Sequence, residues 1–136
     1  MIQKENVDFS AAEIKIIVHA TEEKDSILKH LNSTLDIPPD TFSIVKTEGH
    51  WGNEILLLTG NLSKNEANSL YRRVEASLLE SYDDLLSNLF DEKGNLYIRL
   101  DKQKLCRGKV SFSESDPIRI RFRNVMTYGS RKSIIE

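Results

Sequence analysis

The stretch PIRIRFRN, Pro117–Asn124, alternates without interruption. Ile118, Ile120 and Phe122 fall on one side of an extended chain, and Arg119, Arg121 and Arg123 on the other. That period belongs to a β-strand with one face in a core and one face in water. Along the open side the guanidinium groups stand roughly 6.6–6.8 Å apart. Three arrangements accommodate such a row. Phosphates in series can each take two hydrogen bonds. Carboxylates on neighbouring strands can pair with it, Asp101 and Glu114 being candidates. Solvent alone can also cover it.

Residues just upstream enlarge the basic surface. Lys102, Lys104, Arg107 and Lys109 crowd one connection, and Gln103 adds an amide that both donates and accepts. Tyr97 and Arg99 share a face of a strand expected over Asn95–Asp101. If that face is the one carrying the arginine row, the sheet offers charge and one aromatic ring, which serves backbone contact and not base-sequence readout. The expected nucleic-acid contacts are Arg99, Lys102, Gln103, Lys104, Arg107, Lys109, Arg119, Arg121 and Arg123. Tyr97 and Trp51 are the stacking or interface candidates.

The rest of the chain supplies the layers. EIKIIVHA, Glu13–Ala20, reads as a strand. Thr21 fits a helix N-cap ahead of the stripe Ile27, Leu28, Leu31 and Leu35, which Pro38-Pro39 ends. TFSIVK, Thr41–Lys46, and EILLLTG, Glu54–Gly60, are strands, the second apolar on both faces and expected at the sheet centre. Ser63-Lys-Asn-Glu66 is a capping box opening a helix with the stripe Ala67, Leu70, Tyr71, Val74 and Leu78. A break or bend is expected near Ser81. KVSF, Lys109–Phe112, is expected as a further strand. The order is a split β-α-β-β-α-β pattern with an additional strand. It predicts an α+β fold: a mixed or antiparallel sheet with two helices on one face. Residues 1–12 read as a flexible leader, 13–124 as one domain and 125–136 as a C-terminal tail.

The 136 residues carry 19 Lys/Arg and 21 Asp/Glu, a formal charge of −2. That near-balance conceals an asymmetry: Met1–Leu96 sums to −8 and Tyr97–Glu136 to +6. One end of the chain is suited to an anion. The lone Cys106 excludes an internal disulfide and is compatible with a reducing compartment. No secretory signal and no apolar run of about 20 residues is visible, so a cytoplasmic protein with no membrane partner is expected.

GHWGNEI, Gly49–Ile55, sits between two strands and reads as a hairpin connection. Its Trp51 offers a ring for burial on the sheet, for a subunit contact or for RNA. His19, His30 and His50 are the only histidines, and no third ligand for a His19–His50 pair is evident. No metal, cofactor or catalytic residue is therefore assigned: a Walker-type phosphate loop and a nucleophile elbow are both absent.

VHATE (Val18–Glu22), GHWGNEI and LDKQ followed by Gly108 together resemble an archaeal family described as RNA-binding proteins or predicted exosome subunits. The similarity runs from about Glu13 to Phe122. It implies a fold like that of ribosomal large-subunit protein five and an association with RNA, without catalytic residues to carry over. Exosome proteins and a second copy of the chain are the further partners considered.

Overall fold

The computed structural model describes residues 8–49, 51–87 and 89–124, the side chains of 78–87 excepted. Five strands, β1 (Phe9–Val18), β2 (Phe42–Glu48), β3 (Glu54–Leu62), β4 (Leu96–Leu100) and β5 (Ile118–Asn124), form one sheet in the order β2-β3-β1-β5-β4. Every neighbouring pair is antiparallel, so the sheet is not mixed. Helices α1 (Lys24–Leu35) and α2 (Lys64–Ser87) and the one-turn α3 (Lys102–Leu105) complete the α+β fold.

Alternation sorts the side chains as expected. Ile14, Ile16 and Val18 of β1, Leu96, Ile98 and Leu100 of β4, and Ile118, Ile120 and Phe122 of β5 are buried. They meet the α1 stripe Ile27, Leu28, Leu31 and Leu35 and the α2 stripe Ala67, Leu70, Tyr71 and Val74 in a single core. Phe9, Tyr71 and Phe122 close one end of it with ring centroids 5.0–5.9 Å apart. Among the described residues, the other sheet face carries no helix of this core.

Several boundaries differ from expectation. β1 begins at Phe9, inside the segment taken as leader. Phe9 pairs with Asn124 of β5 across a bulge, and Asn68 of α2 bonds its remaining backbone groups. Its amide oxygen accepts from the Phe9 N–H at 2.8 Å, and its nitrogen donates to the Phe9 carbonyl at 2.9 Å. β3 is interior but not central; β1 holds the middle position. Thr21 is not the N-cap of α1. Glu23 occupies that place without a side-chain bond, and Glu22 instead accepts from the His19 N–H at 2.9 Å.

The α2 capping box forms in both directions. The Ser63 N–H donates to Glu66 Oε1 at 2.8 Å, and the Glu66 N–H donates to Ser63 Oγ at 3.4 Å. α2 then runs to Ser87 as one helix, with no break at Ser81. KVSF forms no full strand; only Phe112 bridges, to Leu100. The basic connection after β4 is helical because the Asp101 side chain caps it, accepting from the Lys104 N–H at 2.8 Å.

GHWGNEI is the β2–β3 hairpin, closed by the Gly49 N–H on the Asn53 carbonyl at 2.6 Å. Gly52 takes φ +81°, the left-handed region that glycine enters without strain. His50 and the expected tail lie outside the described residues. β2 is an outer strand, exposed from Ser43 to Glu48.

Candidate nucleic-acid interface

Register, not sequence proximity, assembles the basic face. Arg119 of β5 stands opposite Arg99 of β4 on one side and Lys15 of β1 on the other. Paired residues of an antiparallel ladder point to the same face, so Arg99, Arg119 and Lys15 form a row across three strands. Neighbouring strands lie roughly 4.7–4.9 Å apart. All three side chains are exposed, and none has a carboxylate partner among the described residues. Like charges directly opposite one another destabilise a sheet. This row keeps two such juxtapositions and opens them to solvent.

Arg121 behaves differently. It stands opposite Tyr97 and Glu13, and its Nη2 lies 3.4 Å from Glu13 Oε1. The predicted partners Asp101 and Glu114 do not pair with it; the actual carboxylate comes from β1. The Nε of Arg121 is buried without a hydrogen-bond partner. Arg123 is exposed beyond this pair, opposite Ala11. The guanidinium row along β5 is thus interrupted at its middle member. The free cations run across the sheet through Arg119. Between them lies a shallow depression of about 240 Å³, lined by Glu13, Lys15, Tyr97, Arg99, Arg119 and Arg121.

Lys102 corrects the expected contact set most sharply. Its side chain is 3% exposed. The ammonium donates to the Ile17 carbonyl at 2.6 Å, Glu22 Oε1 at 2.9 Å and Asp116 Oδ2 at 3.0 Å. All three of its protons are used, so it cannot reach a phosphate. Gln103 turns its amide nitrogen toward Glu22 Oε2 at 3.5 Å. Lys104 in α3 and Arg107 and Lys109 after it are exposed, and α3 packs against α1.

Around Lys102 stands the one set of three potential metal ligands among the described residues, His19, Glu22 and Asp116. His19 Nε2 lies 3.0 Å from Asp116 Oδ2. The lysine ammonium already supplies a cation to both carboxylates, so the group reads as a built-in ion-pair junction. Asp116 precedes Pro117 with φ +49°, which turns its carboxylate toward the end of β1. Desolvation pushes the Asp116 carboxyl up. Hydrogen bonds and charge from Lys102 and His19 outweigh it, and the pKa is lowered from its usual 3.8.

The aromatic candidates separate as well. Tyr97 is 37% exposed on the arginine face. Trp51 is 83% exposed at the hairpin tip, so its ring is not buried on its own sheet. Lys15 and Glu13 were missed by sequence reasoning. Both alternate correctly in β1, but only strand order places them beside the arginines.

VHATE, GHWGNEI and LDKQ all lie at the same end of the sheet: the C-terminal end of β1, the β2–β3 turn and the exit from β4. Residues 11–124 match the model of a family described as RNA binding. The chain belongs to that family. It is 31% identical over 132 residues to RNA-binding protein PAB1135 of Pyrococcus abyssi, covering 90% of this chain and 85% of the relative. It is also similar to a DUF54 protein of Methanothermobacter thermautotrophicus, at a TM-score of 0.71 and 24% identity, covering 95% and 99% of the two chains. A second DUF54 structure, from Archaeglobus fulgidus, matches at a TM-score of 0.68 and 27% identity over 91% and 98%. The family's RNA-binding description agrees with an open basic sheet face. No described helix is long and apolar enough to cross a membrane.

Proposed function

We propose that this member of the RNA-binding family is a non-catalytic accessory protein. In this reading it holds the phosphodiester backbone on the open sheet face. Support comes chiefly from the Arg99–Arg119–Lys15 row: three exposed cations opposite one another with no carboxylate partner among the described residues. Phosphate oxygens relieve their mutual repulsion and accept bidentate hydrogen bonds from the two arginines. Arg123 extends the reach along β5. Arg121, partly neutralised by Glu13, contributes less.

Binding of this kind releases counterions, so affinity falls steeply with salt. Replacing Lys15, Arg99 and Arg119 together by Ala is expected to lower the slope of log K against log salt by about 2 for single-stranded RNA. Fluorescence anisotropy across a salt series measures it. An unchanged slope removes the row from the interface. A place beside the RNA-degrading exosome, and a likeness to ribosomal large-subunit protein five, fit a small chain that lies against RNA. Co-purification with tagged exosome subunits after nuclease treatment tests a direct contact.

The exposed Ile44, Val45 and Trp51 on the β2 side favour a second reading, an assembly subunit that meets a copy of itself. Light scattering at high salt separates the two: a dimer that persists there and excludes RNA supports assembly.

A further inference from the structure

The open face has two halves, and only one of them is basic. On β1, Lys15 is followed two residues later by Ile17, which points the same way and is 41% exposed. Ile17 stands opposite Leu57 of β3, and Leu57 opposite Val45 of β2, which is 57% exposed. An aliphatic strip therefore crosses β1-β3-β2 as the cationic row crosses β4-β5-β1. The two meet on β1, about 6.6–6.8 Å apart along the strand. Tyr97 flanks the cationic row on its other side, two residues from Arg99.

We infer that the RNA taken by this face is single-stranded. The inference rests on the phosphate-binding role of the Arg99–Arg119–Lys15 row. A duplex presents phosphates outward and keeps its base faces stacked inside, so it gives the row its anions and gives the aliphatic strip nothing. A single strand presents both, one nucleotide apart in reach. Its phosphates lie on the β4-β5-β1 half, and its bases lie over Ile17, Leu57 and Val45 or against Tyr97. Unstacked bases have apolar faces that gain from cover, and such contacts tolerate any sequence. Glu13, neutralising Arg121, leaves the strongest hold on phosphate to the row. The aliphatic strip itself carries no charge, which suits bases and offers no hold to an acidic protein segment.

Affinities for a 12-nucleotide single strand and for a 12-base-pair RNA duplex, at one salt concentration, decide between the forms. The single strand is expected to bind at least tenfold more tightly. Changing Ile17 and Val45 together to Ser is expected to weaken the single strand about fivefold and leave the duplex unmoved. Equal or tighter duplex binding overturns the inference, as does a single-strand affinity indifferent to the two Ser changes. Zero-length crosslinking of 4-thiouridine in the single strand to the unaltered protein reads base position without relying on a variant's folding. Adducts on Ile17, Leu57, Val45 or Tyr97 support the assignment, and adducts confined to the α3 segment overturn it. Loss of the salt-slope effect at Lys15, Arg99 and Arg119 instead defeats the underlying phosphate site. The two failures are therefore distinguishable.

Discussion

A lysine ammonium loses much of its hydration when buried, and the group around Lys102 restores that loss with one carbonyl and two carboxylates. Removing the cation strands its partners. Lys102→Met is expected to cost about 3 kcal/mol, the low end for breaking such a pair, because Asp116 keeps some contact with water. Urea unfolding followed by circular dichroism measures it. The same junction sets an acid limb. Because the folded Asp116 pKa is lowered, its contribution is present above the unfolded value and is lost as pH falls through the folded one. Asp116→Asn should therefore flatten the stability profile below about pH 4, with little change in its shape above pH 5. None of this was visible in LDKQ as a string. The burial of Lys102 depends on α3 folding over the end of β1, a contact between residues 85 positions apart.

Elements were the most legible scale. The Ile-Arg-Ile-Arg-Phe-Arg alternation gives β5 both its strand and its two faces, and the helical stripes name their own buried residues. The capping box formed as read. Ser63→Ala is expected to cost about 1 kcal/mol, measured as a shift in thermal midpoint. Signals that depend on distant partners failed. Phe9 pairs with Asn124 of β5 across a bulge and bonds the Asn68 side chain 59 residues away, so the local pattern started the strand too late. Asn68→Leu should leave the Phe9 N–H and carbonyl without this partner and lower stability by about 2 kcal/mol, with faster hydrogen exchange at the start of β1. KVSF has strand-like residues but meets only Leu100 across a single bridge.

At the scale of the whole molecule, strand order converts an acidic-to-basic chain into a face divided between cations and aliphatics. The first hundred residues are net acidic, yet β1 contributes Lys15 to the row and Glu13 to its boundary. Composition pointed to the C-terminal part of the chain and passed over these two residues, because adjacency of β1 to β5 is a property of topology. The same adjacency predicts an order of effect. Arg119→Ala, at the centre of the row, should weaken RNA binding more than Arg121→Ala, whose charge is shared with Glu13. Filter-binding titrations of the two variants compare them directly.

The outermost position of β2 has a cost for the protein in concentrated solution. Its outward peptide groups meet no further strand among the described residues, and Ile44 and Val45 sit bare beside them. Lys46, held 3.1 Å from Glu54, places a hydrated charge in the middle of this rim and discourages another extended chain from zipping onto it. Swapping Lys46 for Val should turn a quiet border into a sticky one, visible as particle growth in dynamic light scattering while the far-ultraviolet spectrum stays folded.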